Sequence, residues 1–347
     1  MPRIAVIAGD GVGREVIPAA VRVARAAAGD RLEWVEFDWN ADYYLRHGAA
    51  MPPDGLEQLR RFEAILFGAV GDPRITTHDY AAGLLLKMRF GLDLYANLRP
   101  VRPLDDRLCP LRGIRGDEID FVVLRENTEG PYAGMGGNFK TGRGEEVAVE
   151  LDINTRLGVE RIQRLAFEMA RQRSRRRLAM ADKSNAMPHA HGLWLRVFRE
   201  LQPQFPEIEA RHYYADALAY QLVRDPRQFD MIVTTNLFGD LLTDLAAALQ
   251  GGLGMAASGN LHPGRMGLFE PVHGSAPDIA GRNLANPIGA ILSAALMLDF
   301  LGLDAAARRV EASAAAAVRE GVATPDIGGN WGTAECAAWI EKRLRSA

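Results

Sequence analysis

Asp240 and Asp244 stand i, i+4 on a helix predicted over Gly239–Leu249, so their carboxylates share one helix face. Like charges placed this way destabilise a helix unless a cation lies between them. A hard divalent ion with oxygen ligands, Mg²⁺ or Mn²⁺, suits the pair, and an acid-tolerant helix N-terminus accounts for it equally well. A third carboxylate, Asp216, follows the strand-like Arg211-His-Tyr-Tyr-Ala215, where a loop ligand would stand. Lys183, in Ala181-Asp-Lys-Ser-Asn-Ala186, follows another strand. There a lysine can act as a general base if neighbours lower its pKa, or it can be a solvated loop residue. Only four lysines occur (Lys87, Lys140, Lys183, Lys342) among 41 basic residues, so one set in a polar motif stands out. Arg89 and Arg99 bracket Arg-Phe-Gly-Leu-Asp-Leu-Tyr-Ala-Asn-Leu-Arg, and Arg125 ends a strand. Guanidinium forks grip carboxylates bidentately, so three converging arginines would suit a di- or tricarboxylate, while any one alone reads as a surface charge.

Two Gly-rich segments stand beside these groups. Gly9-Asp-Gly-Val-Gly13 lies between a strand and a helix, but its spacing is not Gly-x-Gly-x-x-Gly, so it reads as a tight turn. Phe269-Glu-Pro-Val-His-Gly-Ser-Ala-Pro-Asp-Ile-Ala-Gly281 is too rich in Gly, Pro and small residues for regular structure. It reads as an ordered loop of the length that binding loops favour. No Gly-x-Ser-x-Gly elbow or His-Glu-x-x-His helix occurs.

The elements that must position these groups alternate. Strands are predicted at Ile4–Ala8, Leu32–Phe37, Ala64–Phe67, Phe121–Leu124, Leu178–Ala181, Ile208–Tyr214 and Met231–Thr234. Helices are predicted at Glu15–Ala28, Gly55–Phe62, Asn154–Arg171, His191–Leu201, Gly239–Leu249, Pro287–Leu301, Ala305–Glu320 and Thr333–Arg345. This order indicates an α/β fold with a largely parallel sheet. Gly130–Gly144 lacks helical period and reads as a loop or hairpin arm, and Gly251–Gly254 as a hinge. A chain of 347 residues, 48% hydrophobic and 24% charged, is expected to form two domains. A net charge of −3 points to neither nucleic acid nor an anionic membrane. Two distant cysteines, Cys109 and Cys336, with no leader and no apolar run of roughly 18–20 residues, lead to a cytoplasmic expectation.

Together, Leu98-Arg-Pro100, Arg125-Glu-Asn-Thr-Glu-Gly-Pro-Tyr132, Asp182-Lys-Ser-Asn185, Asn236-Leu-Phe-Gly-Asp240 with Asp244, and His273–Gly281 resemble the β-decarboxylating dehydrogenases. That family includes the isopropylmalate, isocitrate, homoisocitrate and D-malate/tartrate enzymes. The resemblance runs from Gly9 to Thr324–Gly329. It implies an isopropylmalate dehydrogenase-like two-domain α/β fold with an open mixed sheet, not a Rossmann fold. The large domain would hold 1–96 and 251–347, and the small domain with its dimer arm 97–250. It further implies a homodimer with active sites shared between subunits. Arg89, Arg99 and Arg125 match the carboxylate-binding positions, Leu85 and Leu86 the wall facing the variable group of the substrate. Asp240 and Asp244, with Asp216 of the second subunit, match the ligands of Mg²⁺ or Mn²⁺. Lys183 of that same second subunit matches the catalytic lysine, and Tyr132 the acid that protonates the enol product. Glu270, His273, Gly274, Ser275, Ala276, Asp278, Ile279, Asn286 and Asn185 match cofactor positions. Asp278-Ile279 replaces the Lys-Tyr of NADP-using members, so NAD is expected: a carboxylate accepts ribose hydroxyls and repels a 2′-phosphate.

For the substrate, Gly83-Leu-Leu-Leu-Lys-Met88 resembles one branch of isopropylmalate enzymes, which act in leucine biosynthesis. An apolar wall suits an isopropyl group and penalises a distal carboxylate. Against this, Ala82 stands where many of those enzymes carry Glu, and Ser184-Asn-Ala186 departs from their Ala/Thr-Asn-Val. Arg125–Gly130 is closer to isocitrate, homoisocitrate and D-malate/tartrate members, and the D-malate/tartrate enzymes share the paired leucines. The expectation is 3-isopropylmalate first, D-malate or tartrate next, then homoisocitrate or isocitrate. A non-catalytic paralogue remains as a remote alternative.

Overall fold

The computed structural model describes residues 1–77 and 79–346. Two compact units form, one from Met1–Leu94, Arg99–Ile119 and Ala247–Ala347, the other from Tyr95–Leu98 and Asp120–Ala246. The first opens with β1 (Arg3–Gly9), α1 (Gly13–Ala28), β2 (Glu33–Glu36), α2 (Ala41–His47), α3 (Gly55–Leu59) and β3 (Ala64–Ala69). Then come α4 (Asp79–Ala81), a π-helical stretch (Ala82–Leu86) and α5 (Lys87–Gly91), and β4 (Ala96–Val101) has residues in both units. The second unit runs β5 (Phe121–Glu126), hairpin strands β6 (Gly136–Phe139) and β7 (Val147–Glu150), α6 (Arg156–Gln172), β8 (Arg177–Asp182) and α7 (Ala190–Leu201). It ends with β9 (Glu209–Tyr214), α8 (Ala215–Arg224), β10 (Met231–Thr234) and α9 (Asn236–Ala248). The chain finishes with β11 (Ala257–His262), β12 (Met266–Pro271), α10 (Ile288–Phe300), α11 (Asp304–Arg319) and α12 (Thr333–Ser346).

In the first unit the strand order β2-β1-β3-β12-β11 is parallel throughout except for the antiparallel pair β11–β12. In the second, β5-β10-β8-β9 is all parallel. The fold is therefore α/β with a mixed sheet, as the resemblance implied. Strand period explains the apolar runs. Along β1, Ile4 and Val6 face a core built with α1, α10, α11 and α12, while Ala5 and Ile7 face a second core with Trp39, Leu59 and Tyr80. A strand covered on both faces must be apolar at every position. In the second unit Phe167 of α6 stacks on Phe198 and Phe205, with ring centroids 5.4 and 4.8 Å apart.

Four strands escaped the sequence reading: β4, β11, β12 and β7, which lies beyond the Gly130–Gly144 arm. β11 and β12 carry buried polar residues, Ser258, Asn260 and Glu270, which break the apolar signal and are satisfied only by tertiary partners. As a result Phe269, Glu270 and Pro271, read as part of a loop, are the end of β12. β4 overlaps the arginine segment and carries Arg99.

The glycine turn after β1 is not a dinucleotide cradle. Val12 N–H donates to the Ser275 carbonyl at 2.9 Å, so this amide at the start of α1 is taken up by backbone from a distant loop. Gly11, at φ +50°, has no room for a Cβ, which would fall 2.0 Å from Ser275 O. Between these glycines Asp10 is 1% exposed. Its carboxylate accepts Ala41 N–H (2.8 Å), Gly71 N–H (2.9 Å) and Tyr80 O–H (2.6 Å), tying three segments to the end of β1.

Candidate active site

Lys183 follows the last paired residue of β8, at the carboxyl end of a parallel strand, where ligand sites of α/β sheets gather. Buried Asp182 steadies the turn by accepting Ser184 N–H at 2.9 Å, with His212 Nε2 at 3.0 Å from the same oxygen. Lys183 N–H donates to His191 Nδ1 at 2.8 Å, and its Nζ lies 2.8 Å from Asp216 Oδ2. That ammonium holds the Asp216 carboxyl below the ordinary carboxylate range. Asp216 was read as a loop residue; it stands in the first turn of α8, because helix begins directly after β9.

A second cluster gathers around Asp240. Arg125, 1% exposed, donates from Nε and Nη2 to Asn236 Oδ1 (3.0 and 2.8 Å) and from Nη1 to Asp240 Oδ1. Tyr132 O–H donates to Asp240 Oδ2 at 2.7 Å, and its ring lies under the Arg125 guanidinium at 5.1 Å. Gly239 makes this fit possible, since a Cβ there would stand 2.4 Å from Arg125 Cγ. Because α9 begins at Asn236, Asp240 and Asp244 lie in its second and third turns, beyond the reach of the helix dipole offered as the bland account of the pair. Among the described residues no group of three or more His, Cys, Asp or Glu is placed to hold a metal within one chain. Two hard carboxylates on one helix face are a donor set that fits Mg²⁺ or Mn²⁺.

In the first unit Arg89 lies within α5 and Arg99 in β4, each 7% exposed. Arg89 Nη2 donates to Glu270 Oε1 at 2.9 Å, an oxygen that also accepts Asn260 Nδ2 at 2.8 Å, while buried Arg89 Nε has no partner among the described residues. Before Arg89 the π-helical stretch buries Leu84 fully and leaves Leu85 and Leu86 half-buried. The loop after β12 carries most of the expected cofactor residues. His273 Nδ1 lies 2.9 Å from Gly274 O, which assigns the proton to Nδ1 and leaves Nε2 buried without a partner among the described residues. Burial pushes this imidazole's pKa down, so it is neutral. Ala276 sits at φ +40°, Asp278 and Gly274 are exposed, and Ile279 packs on the core. Glu15 pins the loop by accepting Gly281 and Asn283 N–H at 2.7 and 3.0 Å. Asn286 Oδ1 accepts Ile288 N–H (3.0 Å) just before α10, and its Nδ2 donates to Asp326 (3.0 Å). Asn185, in the second unit, is exposed. A neutral orphaned acceptor at His273 and an exposed carboxylate at Asp278 fit a polar nucleotide with ribose hydroxyls.

The isocitrate/isopropylmalate dehydrogenase family profile matches residues 3–342. The chain belongs to that family. It is 45% identical over 326 residues to the 3-isopropylmalate dehydrogenase of Streptomyces avermitilis, covering 93% of each chain. It is also 45% identical to the decarboxylating D-malate dehydrogenase of Escherichia coli K12, covering 98% of each. An isocitrate dehydrogenase structure from Methylococcus capsulatus superposes with TM-score 0.91 at 36% identity, covering 99% of this chain and 100% of that one. This member of the isocitrate/isopropylmalate dehydrogenase family is a decarboxylating dehydrogenase, and no helix among its described residues is long and apolar enough to cross a membrane. The sequence reading missed Asp10, Asp152, His191 and His212, whose partners lie up to 70 residues away. The one local signal was an acid inside a glycine turn.

Proposed function

We propose that the enzyme oxidises and decarboxylates a 2-hydroxy acid bearing a 3-carboxylate, with NAD and Mg²⁺ or Mn²⁺, and that 3-isopropylmalate, in leucine biosynthesis, is its substrate. The observation that carries this reading is the convergence of a buried guanidinium, a phenol and a hard carboxylate: Arg125 and Tyr132 meet on Asp240. In this reading Arg89, Arg99 and Arg125 grip the substrate carboxylates, and the Lys183 Nζ contributed by the second subunit takes the proton of the 2-hydroxyl. Bound NAD and the divalent ion supply hydride acceptance and stabilisation of developing negative charge. Tyr132 O–H then returns a proton to carbon, and Asp278 accepts ribose hydroxyls. Asp240 and Asp244 offer oxygens to the cation from one subunit, and Asp216 from the other.

A homodimer is supported by apolar side chains left exposed beside these groups. Leu237 and Leu241 on α9 are 39% and 61% exposed, and the hairpin arm shows Phe139, Val147 and Val149. Both cysteines are free thiols, which suits a reducing cytoplasm. Half-buried Leu85 and Leu86 suit the isopropyl group. The E. coli relative, covered at 98%, supports D-malate as a second reading. NADH formation with Mg²⁺ or Mn²⁺ across 3-isopropylmalate, D-malate, tartrates, isocitrate and homoisocitrate tests the choice. The highest kcat/KM is expected with 3-isopropylmalate and loss of activity with a chelator. A higher value with D-malate selects the second reading, and metal binding without turnover of any acid would revive the non-catalytic paralogue.

A further inference from the structure

His191, at the start of α7, is 2% exposed and touches Lys183, Asp152 and Phe238. Sheet pairing of β8 ends at Asp182, so the next backbone N–H, that of Lys183, has no ladder partner and donates to His191 Nδ1 at 2.8 Å. An accepting Nδ1 assigns the ring proton to Nε2, which lies 3.0 Å from Asp152 Oδ2. The opposite tautomer would set an N–H against the Lys183 N–H. Asp152 is itself held. Asn154 Nδ2 donates to its Oδ1 at 3.0 Å, and the fully buried Trp194 indole donates to Asn154 Oδ1 at 2.7 Å. Phe238 stands edge-on to the imidazole at 5.6 Å and 88°. The segment Asp152–Asn154 also meets the chain shortly before Tyr132, because Gly130 N–H donates to Ile153 O at 2.7 Å.

We infer that His191 is a positioning residue for Lys183: a neutral imidazole, locked in one tautomer by Asp152, that accepts the Lys183 amide and so sets where Nζ points. The inference rests on the reading of Lys183 as the base. Nζ lies roughly 6 Å along the side chain from Cα, so a backbone rotation of about 10° carries it about 1 Å. A displacement of that size costs a catalytic group up to about a hundredfold in rate.

The sequence makes the test direct. With four lysines, ¹⁵N-lysine labelling of the full chain gives four backbone amide signals, and Lys183→Arg assigns the one of interest. His191→Leu keeps volume without an acceptor, whereas His191→Asn places an amide oxygen where Nδ1 stands. The leucine variant is expected to shift the Lys183 signal, speed its solvent exchange and lower kcat about tenfold to a hundredfold with KM little changed. The asparagine variant is expected to restore both. An unshifted Lys183 signal with wild-type kcat in His191→Leu overturns the inference, as does an asparagine variant no better than leucine. If the leucine variant fails to fold, Asp152→Ala replaces it: loss of the tautomer lock should broaden the Lys183 signal, and an unchanged signal overturns the inference. Should the wild type turn over none of the acids, the reading of Lys183 falls, and the amide signal alone still decides the His191 contact.

Discussion

Gly11→Ala probes how the glycine turn supports the loop expected to hold the cofactor. A Cβ at Gly11 would lie 2.0 Å from Ser275 O and 2.8 Å from Ser275 C, both rigid backbone atoms. The turn or the loop must therefore move by at least about 1 Å to reach ordinary contact, and the 2.9 Å bond from Val12 N–H to Ser275 O is lost. Holding an alanine at φ +50° costs about 1 kcal/mol, the steric displacement about 1–3 and the hydrogen bond about 1. The sum is about 3–5 kcal/mol. Gly48→Ala supplies the control: φ is +67° in the left-handed region with nothing within 4 Å, so only the conformational cost of about 1 kcal/mol applies. Urea unfolding of both variants isolates the close approach, and Gly11→Ala should lose at least about 2 kcal/mol more than Gly48→Ala. Because the displaced loop carries His273 to Ile279, KM for NAD should rise more than KM for the hydroxy acid. Equal losses within about 0.5 kcal/mol, a difference no larger than ordinary surface effects, would refute the reasoning.

Glu270→Ala strips the carboxylate from a pair whose side chains are 9% and 8% exposed and leaves the Arg89 guanidinium buried. A loss of about 3 kcal/mol is expected in urea unfolding, and wild-type stability would show that Arg89 finds another partner. Arg14 and Arg74 hold the Asp42 carboxyl at about 2, below its ordinary 3.8. A depressed folded-state value means the stabilisation is complete above about pH 4 and fades as pH falls toward 2. Asp42→Asn should therefore melt below the wild type at neutral pH by a small margin and converge with it near pH 2; parallel curves would contradict the assignment. Asp278→Lys with Ile279→Tyr should move preference from NAD toward NADP in steady-state kinetics, and an unchanged ratio would remove Asp278 from the ribose.

Much of the architecture could be read along the chain because its signals are local. Ile4–Ala8 and Phe121–Leu124 are apolar without interruption and lie in β1 and β5; β1 pairs with β2 and β3 and buries side chains on both faces. Asn154–Arg171 shows a helical period and forms α6, with Thr155 capping through Gly158 N–H at 3.0 Å. Gly130–Gly144 was legible only as a loop or hairpin arm, because no helical period runs through it; the pairing of β6 with β7 makes it a hairpin that extends to Glu150. β11 and β12 were hidden: Ser258, Asn260 and Glu270 look like surface residues until their buried partners are known.

The residue types of the site, their order and the family they resemble were written in the chain, since a lysine after a strand or two acids four apart need no fold to be noticed. Which groups meet was not. Arg125 and Tyr132 reach Asp240 across 115 and 108 residues, and His191 accepts the Lys183 amide only because α7 packs back over the end of β8. Hydrogen-bond geometry acts over about 3 Å, a distance that sequence separation does not encode, so the partners of each polar group were decided by tertiary packing.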